Sequence, residues 1–92
     1  MSYEDEIKPL RIEINRLNEE ILAKIGERVD VALRIGEVKK RHGMPVVDRT
    51  REDAVLDHVA AYAERIGVEP NGARRIFREI IDLCVRAEED QP

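Results

Sequence analysis

The sequence predicts an all-α chain of three helices, the first of them long, paired into an intertwined homodimer. Apolar residues recur at helical spacing without a break from about Lys8 to His42, and two shorter amphipathic segments follow. No stretch alternates as a strand would. The 92 residues make one domain, 1–92, whose globule would have a radius of gyration of ~12 Å. A helix from Lys8 to His42 reaches about 50 Å at ~1.5 Å per residue, farther than such a globule is wide. Its overhanging apolar seam therefore calls for a second copy of the chain.

A heptad laid over the first helix gives two apolar columns: Ile7, Ile14, Ile21, Arg28, Ile35, and Leu10, Leu17, Lys24, Val31, Val38. An adjacent column reads Arg11, Asn18, Ile25, Ala32, Lys39. Arg28 interrupts a row of isoleucines, with Arg11 and Lys39 flanking the seam. An unpaired buried cation costs several kcal/mol, so these positions need an anion, from carboxylates elsewhere in the protein or from a ligand.

Pro9 is tolerated in a first turn, which places the helix start near Ile7 or Lys8. Gly36 is interior to the helix, either as tolerated noise or as a point of close approach. Gly43 is read as a left-handed cap and Pro45 as a stop. The second helix starts with Asp48 or Thr50 as N-cap, Thr50 and Asp53 resembling a capping box, and buries Val55, Val59, Tyr62, Ala63 and Ile66. That stripe, continued toward the N-terminus, meets Glu52 and then Asp48. The third helix runs from about Ala73 to Glu88 and buries Ala73, Ile76, Phe77, Ile80, Cys84 and Ala87, with Glu88 one turn beyond Cys84. Most other charges, among them Asp5, Arg16, Arg49, Arg74, Arg75 and Arg78, are read as solvated surface.

The formal net charge of −4 argues against a nucleic-acid partner. No apolar run approaches a membrane span and nothing resembles a signal peptide. The lone Cys84 excludes an internal disulfide and suits a reducing cytoplasm. Two histidines and one cysteine, scattered at positions 42, 58 and 84, make no metal-ligand pattern, and no cofactor is called for. What remains is a slot for a compact anion. Arg28 and Lys39 lie three turns apart on one face, separated by Ala32, Ile35 and Gly36. Arg51 and Glu52 stand in a helix first turn, where backbone amides also favour an anion.

Several motifs occur in order. Leu10-Arg11 is followed by Ile14; Arg28 lies within Glu27-Arg28-Val29; Gly36 and Lys39 come next; then Pro45-Val46-Val47-Asp48-Arg49-Thr50-Arg51-Glu52. Taken together they resemble the all-helical chorismate mutases over nearly the whole chain, the last segment being similar to that family's Pro-Val-x-Asp-x-x-Arg-Glu. The resemblance implies a short, monofunctional chorismate mutase of phenylalanine and tyrosine biosynthesis, with two sites per dimer, each built from both chains. It implies that Arg28 and Arg51 bind substrate carboxylates from one chain and Arg11 binds one from the other. Lys39 would donate to the ether oxygen, with Glu88 facing the same atom, and Glu52, helped by Asp48, would hold the ring hydroxyl. Cys84 stands where a serine is common in the family, and Glu88 where many members have glutamine. An enzyme of the same pathway is a further candidate partner. Two alternatives are an isochorismate-pyruvate lyase on the same scaffold and a non-catalytic helical dimer acting as a regulatory module. The full Pro-Val-x-Asp-x-x-Arg-Glu segment favours the mutase over the lyase, and the complete set of slot cations argues against the silent module.

Overall fold

The computed structural model describes residues 1–92 and consists of α1 (Tyr3–Arg41), α2 (Arg49–Ile66) and α3 (Pro70–Glu89), with no strand. α1 begins at Tyr3, ahead of the expected Lys8, and Pro9 lies inside it rather than in its first turn. The reason is a reciprocal cap. Ser2 Oγ accepts from the Asp5 amide at 3.2 Å, and the Asp5 carboxylate accepts from the Ser2 amide at 3.3 Å. Glu4, Asp5 and Glu6 also place negative charge at the positive end of the helix. Asp5 is thus a capping residue and not idle surface. Against this, Pro9 withholds only the N–H that would have reached the Asp5 carbonyl.

The remaining ends follow from short polar signals. His42 and Gly43 return their amides to carbonyls of the last turn of α1, and Gly43 takes the left-handed conformation expected of it, at φ 65°. Asp48, not Thr50, caps α2: its Oδ1 accepts from the Arg51 amide at 3.0 Å, and Thr50 lies inside the first turn. α3 starts at Pro70, three residues before the expected Ala73. Pro70 is at the first helical position, where a missing N–H costs nothing, and Glu69 accepts from the amides of Asn71 and Gly72.

α3 packs against both α1 and α2, which do not pack against each other. Contact is made largely through small residues, with Ala32 and Gly36 buried on α1, Ala60 and Ala63 on α2, and Ala73 and Cys84 on α3. The expected stripes shift accordingly. Ile81 is buried although it lies off the expected stripe, whereas Tyr62, Ile66 and Ile76 are exposed. Val55, Val59, Phe77 and Ala87 are half-buried. A helix with two neighbours buries two rows, and a reading that assumes one stripe misplaces the residues between them.

The molecule measures 62 × 29 × 14 Å, with a radius of gyration of 17.3 Å, well beyond that of a compact globule of its length. Only 10 of its 92 residues are buried, too few for a core that sustains a 39-residue helix. From Lys8 through Lys24 every residue of α1 is exposed, including Leu10, Ile14, Leu17 and Ile21 of the seam. No helix is long and apolar enough to cross a membrane.

The placement of Pro9 yields a test. Pro9→Ala restores a donor to the Asp5 carbonyl and removes the ring's clash, so it should raise stability, by up to about 3 kcal/mol. Urea unfolding at fixed protein concentration checks this; a less stable variant would show that α1 needs the proline at that turn.

Candidate active site

A cavity of about 340 Å3 lies where the three helices meet. α1 contributes Arg28, Ala32, Ile35 and Lys39 to its wall, and the connection to α2 contributes Val46 and Asp48. The first turns of α2 contribute Arg51 and Glu52; α3 contributes Ile81, Cys84 and Glu88. Seven of the eight residues singled out from the sequence therefore line one cavity: Arg28, Lys39, Asp48, Arg51, Glu52, Cys84 and Glu88. Arg11 does not. It lies on the free half of α1, exposed and 3.9 Å from Glu4.

Two of the wall cations, Arg28 and Lys39, are aimed by specific contacts. Arg28 Nη1 donates to Cys84 Sγ at 2.9 Å, so the buried thiol steadies the guanidinium while leaving its other donors free. Lys39 Nζ donates to the Val46 carbonyl at 2.7 Å, which ties the connecting segment to α1 and leaves two ammonium protons. Asp48 is committed to the α2 cap, and that cap fixes where Arg51 and Glu52 enter the wall.

The two wall glutamates are driven in opposite directions. Arg78 and Arg49 donate to Glu52 Oε1 at 2.7 and 2.9 Å. The Arg78 hydrogen bond is the main influence holding this buried carboxyl below the ordinary value, against desolvation and with Arg49 assisting. Arg49 and Arg78, expected as solvated surface, are thus partners of a site residue. Arg49 is signalled by its i,i+3 spacing to Glu52. Arg78 lies one turn before Ile81, where the missed second row of α3 continues. Arg74, also expected as solvated, pairs with Asp57 of α2 at 3.1 Å.

Glu88 has no such partner. Burial pushes its carboxyl above the ordinary value and Glu89 adds to this, while Lys39 and Arg28 pull the other way. It is also the reason for Gly36. A Cβ there would lie 3.2 Å from Glu88 Cγ and 3.3 Å from Gln91 Oε1, so the absence of a side chain lets Glu88 reach the cavity beside α1. No group of His, Cys, Asp and Glu side chains is arranged to hold a metal ion.

Glu88→Gln gives a test that needs no ligand. A carboxyl whose pKa is raised by folding contributes stability below its unfolded pKa, and that contribution is lost as pH rises through the folded value. Glu88→Gln should therefore melt higher than the parent at neutral pH, with the advantage shrinking as pH falls through the raised value and gone below the ordinary 4.5. Glu52 has the opposite dependence, its contribution being lost as pH falls through its depressed pKa, but it is common to both proteins and cancels. Equal melting curves at neutral pH would mean that Glu88 bears no desolvation strain.

Residues 10–89 match the family model for chorismate mutase type II. The chain is 38% identical over 87 residues to a bifunctional chorismate mutase/prephenate dehydratase of Aquifex aeolicus, covering 91% of this chain and 24% of that protein. It is 30% identical over 89 residues to a 4-amino-4-deoxychorismate mutase of Streptomyces venezuelae, covering 97% of this chain and 86% of the relative. The solved structure of a chorismate mutase (form II) from Thermus thermophilus superposes with a TM-score of 0.87 at 31% identity, over 94% of this chain and 97% of that one. With the family model and the fold in agreement, this chain belongs to the type II chorismate mutase family.

Proposed function

We propose that the chain converts chorismate to prephenate, acting as a homodimer in which Arg11 of a second copy completes each site. The observation that carries this reading is the convergence of Arg28, Lys39 and Arg51 on one cavity that also holds Glu52 and Glu88. The rearrangement breaks one C–O bond and forms one C–C bond within a single dianion, so it needs no nucleophile, net proton transfer or cofactor. It needs the substrate held in a reactive chair and donors meeting the charge that grows on the ether oxygen. Arg28 and Arg51 suit the two carboxylates, and the two free protons of Lys39 suit the ether oxygen. Glu52, held ionised, suits a hydroxyl donor. Glu88 suits the ether oxygen when protonated, since an ionised carboxylate has no hydrogen to give.

The second copy is supported by the exposed seam of Leu10, Ile14, Leu17 and Ile21. Arg11 lies seventeen residues before Arg28, about 25 Å along the same axis at ~1.5 Å per residue. Both cannot grip one small molecule from one chain, but an antiparallel partner helix brings its Arg11 beside this Arg28. The Streptomyces venezuelae relative supports a second substrate, 4-amino-4-deoxychorismate. Ultraviolet assays with chorismate, its 4-amino analogue and isochorismate separate the mutase readings from each other and from the lyase.

Arg28→Ala and Arg11→Ala should each lower turnover at least a hundredfold, about 3 kcal/mol in transition-state stabilisation. After subunit exchange between the two inactive variants, half of the dimers are mixed, each with one intact site of two. About a quarter of parental activity should then return. No recovery after verified exchange would place the whole site within one chain.

The Glu88 carboxyl predicts a pH dependence. With its pKa raised by burial, the donor form persists to higher pH than usual, and turnover should fall as pH rises through the value in the complex. Glu88→Gln, a permanent donor of similar shape, should flatten that fall and be faster near pH ~7. Parallel profiles, or a glutamine variant slower at every pH, would remove Glu88 as a donor.

A further inference from the structure

Glu52 is only 7% exposed, yet both guanidiniums that reach it end on the same oxygen. Arg78 Nη1 and Arg49 Nη1 donate to Oε1 at 2.7 and 2.9 Å, and no protein group donates to Oε2. Since no buried side-chain oxygen lacks a partner, Oε2 opens on accessible space, and Glu52 forms part of the cavity wall. The two arginines are not equivalent. Arg49 comes from the same helix turn and its side chain is 74% exposed. Arg78 crosses from α3, is 33% exposed, and has Asp82 Oδ1 at 3.7 Å from the same Nη1. The shorter, better shielded contact spans two helices and therefore sets the carboxylate's position as well as its charge.

We propose that Arg78 is a positioning residue for the reaction: by engaging Oε1 it keeps the Glu52 carboxylate ionised and turned so that Oε2 accepts the hydrogen bond of a substrate hydroxyl in the cavity. The role of Oε2 rests on the chorismate mutase reading; the hold of Arg78 on Glu52 does not. The charged groups around Glu52 are Asp48, Arg49 and Arg51 on α2 and its cap, Arg78, Asp82 and Glu88 on α3, and Arg28 and Lys39 across the cavity on α1. Of these, Arg49 and Arg78 alone touch its carboxylate. Burial opposes the charge, so removing the stronger contact should both loosen the side chain and let it take up a proton at higher pH.

The test compares Arg78→Gln and Arg78→Lys with the parent, in a Glu88→Gln background so that the second carboxyl does not titrate. The ratio kcat/KM is followed between pH ~4 and pH ~8, with melting curves confirming the fold. Arg78→Gln should lose about tenfold in kcat/KM near neutrality and shift its acid limb upward by about one pH unit. Arg78→Lys, which keeps the charge but not the planar fork, should restore the limb and only part of the rate. A folded Arg78→Gln with an unmoved limb overturns the proposal, whether or not its rate falls. A 13C carboxyl titration of Glu52 in the ligand-free protein separates the two layers of the argument. If the parent does not turn over chorismate but Arg78→Gln raises the Glu52 pKa, the functional reading fails and the hold of Arg78 stands. An unchanged titration removes the hold itself. Should Arg78→Gln not fold, Arg49→Gln takes its place: it leaves Arg78 as the only guanidinium on that oxygen, so Glu52 should still titrate below the ordinary 4.5, and a Glu52 that rises to that value or above overturns the proposal.

Discussion

α1 and α2 do not pack on each other, so the cavity exists because α3 touches both. Cys84 and Glu88 face α1, as the Arg28 bond and the close approach to Gly36 show. Arg74 and Arg78 face α2, through Asp57 and Glu52. This two-sided helix is what turns three separate amphipathic segments into one wall. It is also why small residues hold the contacts, since alanine and glycine let helix axes come near enough for a third helix to reach both neighbours. Bulkier residues at Ala32 or Gly36 would hold α3 away and move Cys84 and Glu88 with it.

Within that frame the two wall glutamates are sorted by environment rather than by type. Glu52 has guanidiniums on one oxygen and stays an acceptor. Glu88 has burial without a hydrogen-bonded cation and is pushed toward being a donor. Two like side chains thereby take complementary roles in one cavity, a division made by neighbours that differ in a few hydrogen bonds. The cations between them have contacts that orient without saturating them: a thiol for Arg28 and a carbonyl for Lys39. Under the proposed function a dianion entering this space would find donors already placed, with little reorganisation needed as charge shifts during the reaction.

The length of α1 adds a constraint from outside the cavity. A 39-residue helix whose first half meets nothing in its own chain is not held by propensity alone. Its exposed leucines and isoleucines are as periodic as a buried face. The same helix carries Arg11 on its free half and Arg28 in the cavity wall, so covering the seam with a second copy and completing the anion site are parts of one proposed arrangement. Stability and catalysis would then depend on the same interface.

How much was legible in the sequence follows from what each signal measures. Periodicity, caps and breakers are local, and they determined the all-α class, the three helices and the family motifs. The arginine among isoleucines at 28 and the glycine at 36 were legible too, because each is anomalous within its own helix. Helix starts were less so: proline at 9 pointed to a start near Ile7 or Lys8, whereas in the fold the Ser2 cap and the acidic first turn prevail. The second buried row of α3 and the clamp on Glu52 were not legible. Arg78 sits 26 residues from its partner and looks like any other helix-surface arginine. Its role is set by the angle and register at which α3 crosses α2, which only the tertiary structure decided. A side chain's period places it on a face, but its hydrogen-bond partner depends on which residue of another helix lies within about 3 Å, and no pattern within one helix encodes that distance.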